Sequence, residues 1–197
     1  MHTEGVAHGP ATLFMHTGAT NLIRPSMGSW ISYGLGTENE NLPAFVTVNP
    51  PANKGGPRNY GHAFLPANHQ GTVLGQAGNT NALPAIRNLE SRVSEEEAQR
   101  QNQFLSKLNR VQQEEQSSPA VEGAIKSYEL AWRMQNHAAE LVDVEREDRA
   151  TQELYGIGAD HTDGFGRQCL AARQLAESGV RFVQISHCDN SSNPLWD

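Results

Sequence analysis

Cysteine, aromatic side chains and positive charge are all scarce in this chain. Of 197 residues two are cysteine and 7% aromatic, and 15 Lys and Arg stand against 22 Asp and Glu, a formal charge of −7. The two cysteines, Cys169 and Cys188, are too few for a disulfide framework and wrongly spaced for a zinc knuckle. The missing basic excess argues against a nucleic-acid partner, because affinity for a phosphate backbone comes from clustered Lys and Arg. No apolar run approaches the roughly 20 residues needed to cross a bilayer, so no membrane span is expected. No basic segment leads into an apolar stretch at the N-terminus, and the chain as given reads as soluble and untargeted. Its length is one domain's worth, or a piece of a larger one.

What is present is unevenly distributed. Residues 1–89 hold three acids, four bases, five of the eight histidines and most of the glycine and proline. Residues 90–150 carry 13 acids against 8 bases with almost no Gly or Pro, the composition of solvated helices. Ser94 and Glu97 have capping-box spacing, which predicts a helix whose stripe is Phe104, Leu105, Leu108 and Val111. Ser118-Pro119 predicts a second helix that buries Val121, Ala124, Ile125, Tyr128 and Trp132, making a helical hairpin. A shorter helix is expected over 146–155, stopping at Gly156, and another over 164–178, stopping at Gly179. The apolar run 180–185 follows at once as a strand. In the first part, helices are expected over 10–17 and 27–35 and a buried strand over 44–48, while the stretch from Pro50 to Gly78 is read as irregular. A helix running through a glycine into a short apolar strand argues for an α/β fold, a parallel or mixed sheet covered by helices.

The segment with chemical content is His8-Gly9-Pro10-Ala11-Thr12-Leu13-Phe14-Met15-His16-Thr17-Gly18. It resembles the nucleophile helix of the alkaline phosphatase superfamily, with Pro10, Thr17 and Gly18 at the spacing seen in sulfatases. In that arrangement the nucleophile sits at a helix N-terminus, where backbone amides and the macrodipole favour an anionic oxygen. The resemblance puts His8 at that position and Thr12 where an arginine is usual. Imidazole is able to accept a phosphoryl group, but it cannot form the aldehyde hydrate that sulfatases use.

A narrower resemblance covers essentially the whole chain. Ala7-His8-Gly9-Pro10, Arg24-Pro25-Ser26-Met27-Gly28-Ser29-Trp30, Tyr33-Gly34-Leu35-Gly36, Tyr128-Glu129-Leu130-Ala131-Trp132 and Cys169-Leu170-Ala171-Ala172-Arg173 are similar to the bacterial sulfatase-like proteins catalogued as domain of unknown function fifteen-oh-one. The resemblance implies an alkaline phosphatase/sulfatase-like sheet covered by helices and incomplete at both ends, a single partial domain. Its parts are a nucleophile-helix region (1–49), an irregular segment (50–90), a helical cover (91–156) and a helix-strand unit ending in a metal-motif loop (157–197).

It further implies a periplasmic or secreted parent whose divalent metal is zinc, calcium or manganese, with Trp196-Asp197 resembling the start of a Trp-Asp-x-His metal motif. On this reading His8 is the catalytic residue and Asp197 a metal ligand. His187 lines the same crevice, or is a surface loop histidine. Arg24 and Ser26 lie within reach of an anionic substrate, or merely turn the chain into a helix. His62 and His69 belong to a loop near the site mouth without a ligand role, and Asp160, His161 and Asp163 are solvated. The function expected for the parent is metal-dependent hydrolysis of a small-molecule or polysaccharide phosphate or sulfate ester, with this chain its central portion, inactive alone and binding no metal tightly. The alternative is a non-catalytic protein on the same fold that recognises an anionic carbohydrate or polymer.

Overall fold

The computed structural model describes residues 5–77, 93–115, 118–137 and 143–187. Among these it forms a mixed α/β fold with six α-helices and a three-stranded parallel sheet. Two helices open it, α1 (His8–Thr17) and α2 (Met27–Leu35), followed by β1 (Phe45–Val48) and β2 (Thr72–Leu74). A long pair, α3 (Glu95–Glu115) and α4 (Pro119–His137), is followed by α5 (Arg149–Leu154), α6 (Asp163–Glu177) and β3 (Phe182–Ile185). The strand order is β2-β1-β3, with β1 paired to both neighbours.

Side chains alternate across a strand, and β1 separates two layers accordingly. Val46 and Val48 join Leu42, Leu74, Met134 of α4, Leu175 of α6 and Val180 in the main core. Phe45 and its register partner Phe182 turn the other way, their rings edge to face at 5.3 Å, and meet α2 at Gly28. A Cβ on Gly28 would lie 2.5 Å from Phe45 Cζ and 2.7 Å from Phe182 Cδ1, so glycine is what lets α2 lie on the rings. Both faces are thus covered, as a parallel sheet requires.

Local signals explain most element ends. Ser26 Oγ accepts from the Ser29 amide and starts α2; Ser94 and Ser118 do the same for the Glu97 and Val121 amides. Asp148 caps α5 through the Thr151 amide at 2.7 Å. Gly156 and Gly179 take φ values of +70° and +94°, the left-handed stops expected after α5 and α6. Arg167 bridges Asp163 and Glu145, and Arg173 bridges Glu147 and Glu177, tying residues 143–147 to α6.

Three expectations need correction. The stretch from Pro50 to Gly78 is not wholly irregular: it holds two 3-10 turns, Gly56–Tyr60 and Ala67–His69, and the strand β2. Thr72-Val73-Leu74, bounded by Gly71 and Gly75, is too short for its period to register. The α3 stripe does not cover the sheet, since Phe104 is 67% exposed and Leu105, Leu108 and Val111 each more than half exposed. On α4, Tyr128 is exposed, and the residues that reach the core are Leu130 and Met134, one helical turn apart.

Candidate functional site

In a parallel sheet the carboxyl ends of the strands share one edge, where ligands of open α/β folds collect. Here that edge is formed by Val48-Asn49, Leu74-Gly75 and Ile185-Ser186-His187. Asn49, buried and at φ +43°, locks two of the exits together. Its amide donates to Leu74 O at 3.0 Å and its Oδ1 accepts from the Gln76 amide at 2.8 Å.

The first turn of α1 meets the loop that leaves this edge. A Cβ on Gly9 would sit 3.8 Å from Asn53 O, Gly55 N and Lys54 Cα, in the loop that leaves β1. His8 is the first residue of α1, exposed, and the residue before it, Ala7, offers no side-chain cap. Beneath the α2 side of the edge, Thr47 and Gln184 are register partners on the same face as Phe45 and Phe182. Thr47 Oγ1 and both amide atoms of Gln184 are buried without a hydrogen-bond partner among the described residues. Such groups cost about 1–3 kcal/mol each unless water or a ligand meets them. Sequence reasoning missed this pair; the signal was a polar residue at an inward position in each of two apolar strands.

The other expected site residues are dispersed. His187 is at the same edge, exposed, with its ring against Phe165 of α6 at 4.6 Å between centroids, in the layer opposite α2. Arg24 is at the far end of α1, where its guanidinium donates to Gly18 O at 3.5 Å; a ten-residue helix is about 15 Å long, so Arg24 does not share the first-turn position of His8. Ser26 is fully buried, its hydroxyl paired with Ser29 Oγ at 2.9 Å and its amide donating to Gly61 O at 2.9 Å. It holds the loop beginning at Gly61 against α2. Asp197 and Cys188 lie outside the described residues. Among the described residues no three His, Cys, Asp or Glu side chains converge.

Two histidines are partly buried. His69 Nδ1 lies 3.0 Å from Ser32 Oγ and its Nε2 3.2 Å from Asn68 Nδ2. Because the amide nitrogen donates, Nε2 accepts and Nδ1 carries the proton, the neutral form. Burial, then the nearby Lys126 and His62 charges, push the His69 pKa below its ordinary value. Burial does the same to His16 in the last turn of α1. His69 therefore pins Ala67–His69 to α2, a structural task.

No helix among the described residues is long and apolar enough to cross a membrane. No curated protein and no solved structure matches the chain. A family model described as "Protein of unknown function (DUF1501)" matches residues 1–197, and the chain belongs to that family.

Proposed function

We propose that the chain carries the α1 side of a hydrolase site for phosphate or sulfate esters, on a fold of the alkaline phosphatase and sulfatase kind. The observation that carries this reading is the meeting of α1's first turn with the loop leaving β1 at the carboxyl edge of the parallel sheet. An oxyanion there gains from the helix dipole, and His8 is able to bind it and to deliver a proton to the leaving oxygen. Thr47 and Gln184, with side-chain atoms that have no partner among the described residues, offer further polar groups on the face of the sheet that α2 covers. His187 borders the edge from the α6 layer. Metal ligation in this reading belongs to Asp197 with ligands that are not among the described residues; a divalent ion would polarise the ester oxygen.

Orthovanadate, a mimic of the transferred group, tests this directly. The His8 imidazole signals in a proton–nitrogen spectrum are expected to shift and saturate on titration, while those of His161 do not move. His8→Ala should abolish saturable binding, and Gln184→Leu should weaken it with the fold intact. An unmoved His8 signal, or equal affinity in His8→Ala, refutes the proposal.

A further inference from the structure

The C-terminal end of α1 carries a second assembly that the hydrolase reading does not use. Arg24, Arg58, His62 and Gln70 line one cavity of about 230 Å3. Each guanidinium is oriented by a main-chain carbonyl: Arg58 donates to Leu22 O at 2.9 Å and Arg24 to Gly18 O. Neither pairs with a carboxylate among the described residues. The acids of 5–77 are Glu38 and Glu40; Glu38 is paired with Arg181, and Glu40 lines a different cavity, beside Arg133. In a chain of charge −7, two adjacent arginines without a carboxylate partner form a local positive site. His62 Nδ1 lies 2.8 Å from Gln70 Oε1, which fixes the imidazole facing the same cavity.

The wall of that cavity continues directly into an aromatic ledge. Ala63, which lines it, holds φ +50°, a conformation rare for a residue with a Cβ, and the next residue is Phe64. The Phe64 ring stands edge-on to Trp30 at 5.8 Å, and Trp30 to Tyr33 at 6.2 Å. All three remain open to solvent, Trp30 at 47%, Tyr33 at 54% and Phe64 at 70%. The ledge is held in place from below: the Ser26 amide and the Ser29 hydroxyl both donate to Gly61 O. Ser26 and Ser29 are thus positioning residues for this surface.

We propose that this surface is a subsite for an acidic carbohydrate chain, with a sulfate or phosphate group in the Arg24–Arg58 cavity and the adjoining sugar ring on the Trp30–Phe64 ledge. Guanidinium forks match tetrahedral oxyanions, and the electron-rich aromatic faces receive the C–H face of a sugar. The proposal rests on the ester-hydrolase reading for its substrate class. It adds that the substrate is extended, since Arg24 is anchored on Gly18 O at the C-terminal end of α1, the length of a ten-residue helix, about 15 Å, from His8. The low overall positive charge disfavours a nucleic acid as occupant.

Calorimetric titration of the full chain with a sulfated oligosaccharide and with its desulfated counterpart tests the subsite. The sulfated sugar is expected to bind about tenfold or more tightly than the desulfated one, with an affinity that falls as salt is raised. Arg24→Gln with Arg58→Gln should remove that preference and the salt dependence. Phe64→Ala should weaken both sugars by a similar factor and leave the salt dependence as it was. Circular dichroism checks that each variant is folded, and Arg58→Lys, which keeps the charge, should keep part of the preference. Equal affinity for the two sugars, an unchanged preference in the double arginine variant, or tighter binding of a single-stranded nucleic acid overturns the proposal. So does a dimer that Trp30→Ala dissolves. Loss of the vanadate response with sugar binding retained removes the hydrolase reading and leaves the subsite; the reverse removes the subsite alone.

Discussion

At the residue scale the histidines divide by environment. His8 is exposed at a helix start, whereas His16 and His69 are held toward the neutral form by burial. A histidine whose folded pKa lies below its unfolded value stabilises the fold fully above about pH 6.5, and that contribution is lost as pH falls through the folded value. Urea unfolding at stepped pH should therefore show stability beginning to decline just below pH 6.5. His69→Gln, which keeps a hydrogen bond to Ser32, should flatten part of that decline. A separate decline belongs to Glu147, Asp148 and Asp163, all held below the usual carboxylate range. Hydrogen bonds come first in each case, from Arg173, from the Thr151 amide and from the Gly158 amide respectively. Their contribution is present above about pH 4 and lost below it. The two windows separate the histidines from the ion-pair network of α6.

The element scale turns on α2, where two glycines have opposite roles. Gly28 faces Phe45 and Phe182, whereas a Cβ on Gly34 meets nothing within 4 Å. Gly34→Ala is expected to stabilise by about 0.5–1 kcal/mol through helix propensity. Gly28→Ala gains the same propensity but forces the Phe45 ring aside, an overpacking cost of about 1–3 kcal/mol, and should come out destabilising. Thermal midpoints of the two variants, measured against the parent, check the opposite signs. The long helices differ in the same way. Met134→Ala on α4 removes a core contact and should cost about 2–5 kcal/mol. Leu108→Ala on α3 removes a half-exposed side chain and should stay within about 0.5 kcal/mol.

At the scale of the whole molecule, the parallel sheet gathers the strand exits on one edge, with α2 on one face and α4 and α6 on the other. The ester-hydrolase reading is checked at this scale with p-nitrophenyl phosphate and p-nitrophenyl sulfate in the presence of added zinc, manganese or calcium. Metal-dependent release of nitrophenol from the purified 197-residue chain, lost in His8→Ala, would make His8 and ligands within this chain sufficient for catalysis.

Local chemistry is legible from the residues alone because its causes lie within four or five positions of each other. Ser26, Ser94 and Ser118 announce their helices through the next turn's amides; Gly156 and Gly179 announce the stops; the apolar runs around Val46 and Val183 announce buried strands. What covers what was not readable, because it depends on partners far along the chain. The stripe of α3 has the same period as a buried face, yet it is α4, with Leu130 and Met134, that reaches the sheet. The strand β2 takes its pairing from β1 and is too short to carry a period of its own. The meeting of Arg24 with Arg58 at one cavity was decided by the packing of Gly56–Tyr60 on α1, a contact some forty residues distant in sequence. The same is true of Thr47 and Gln184: each reads as one polar residue in an apolar run, and only strand register sets them side by side on the face that α2 covers.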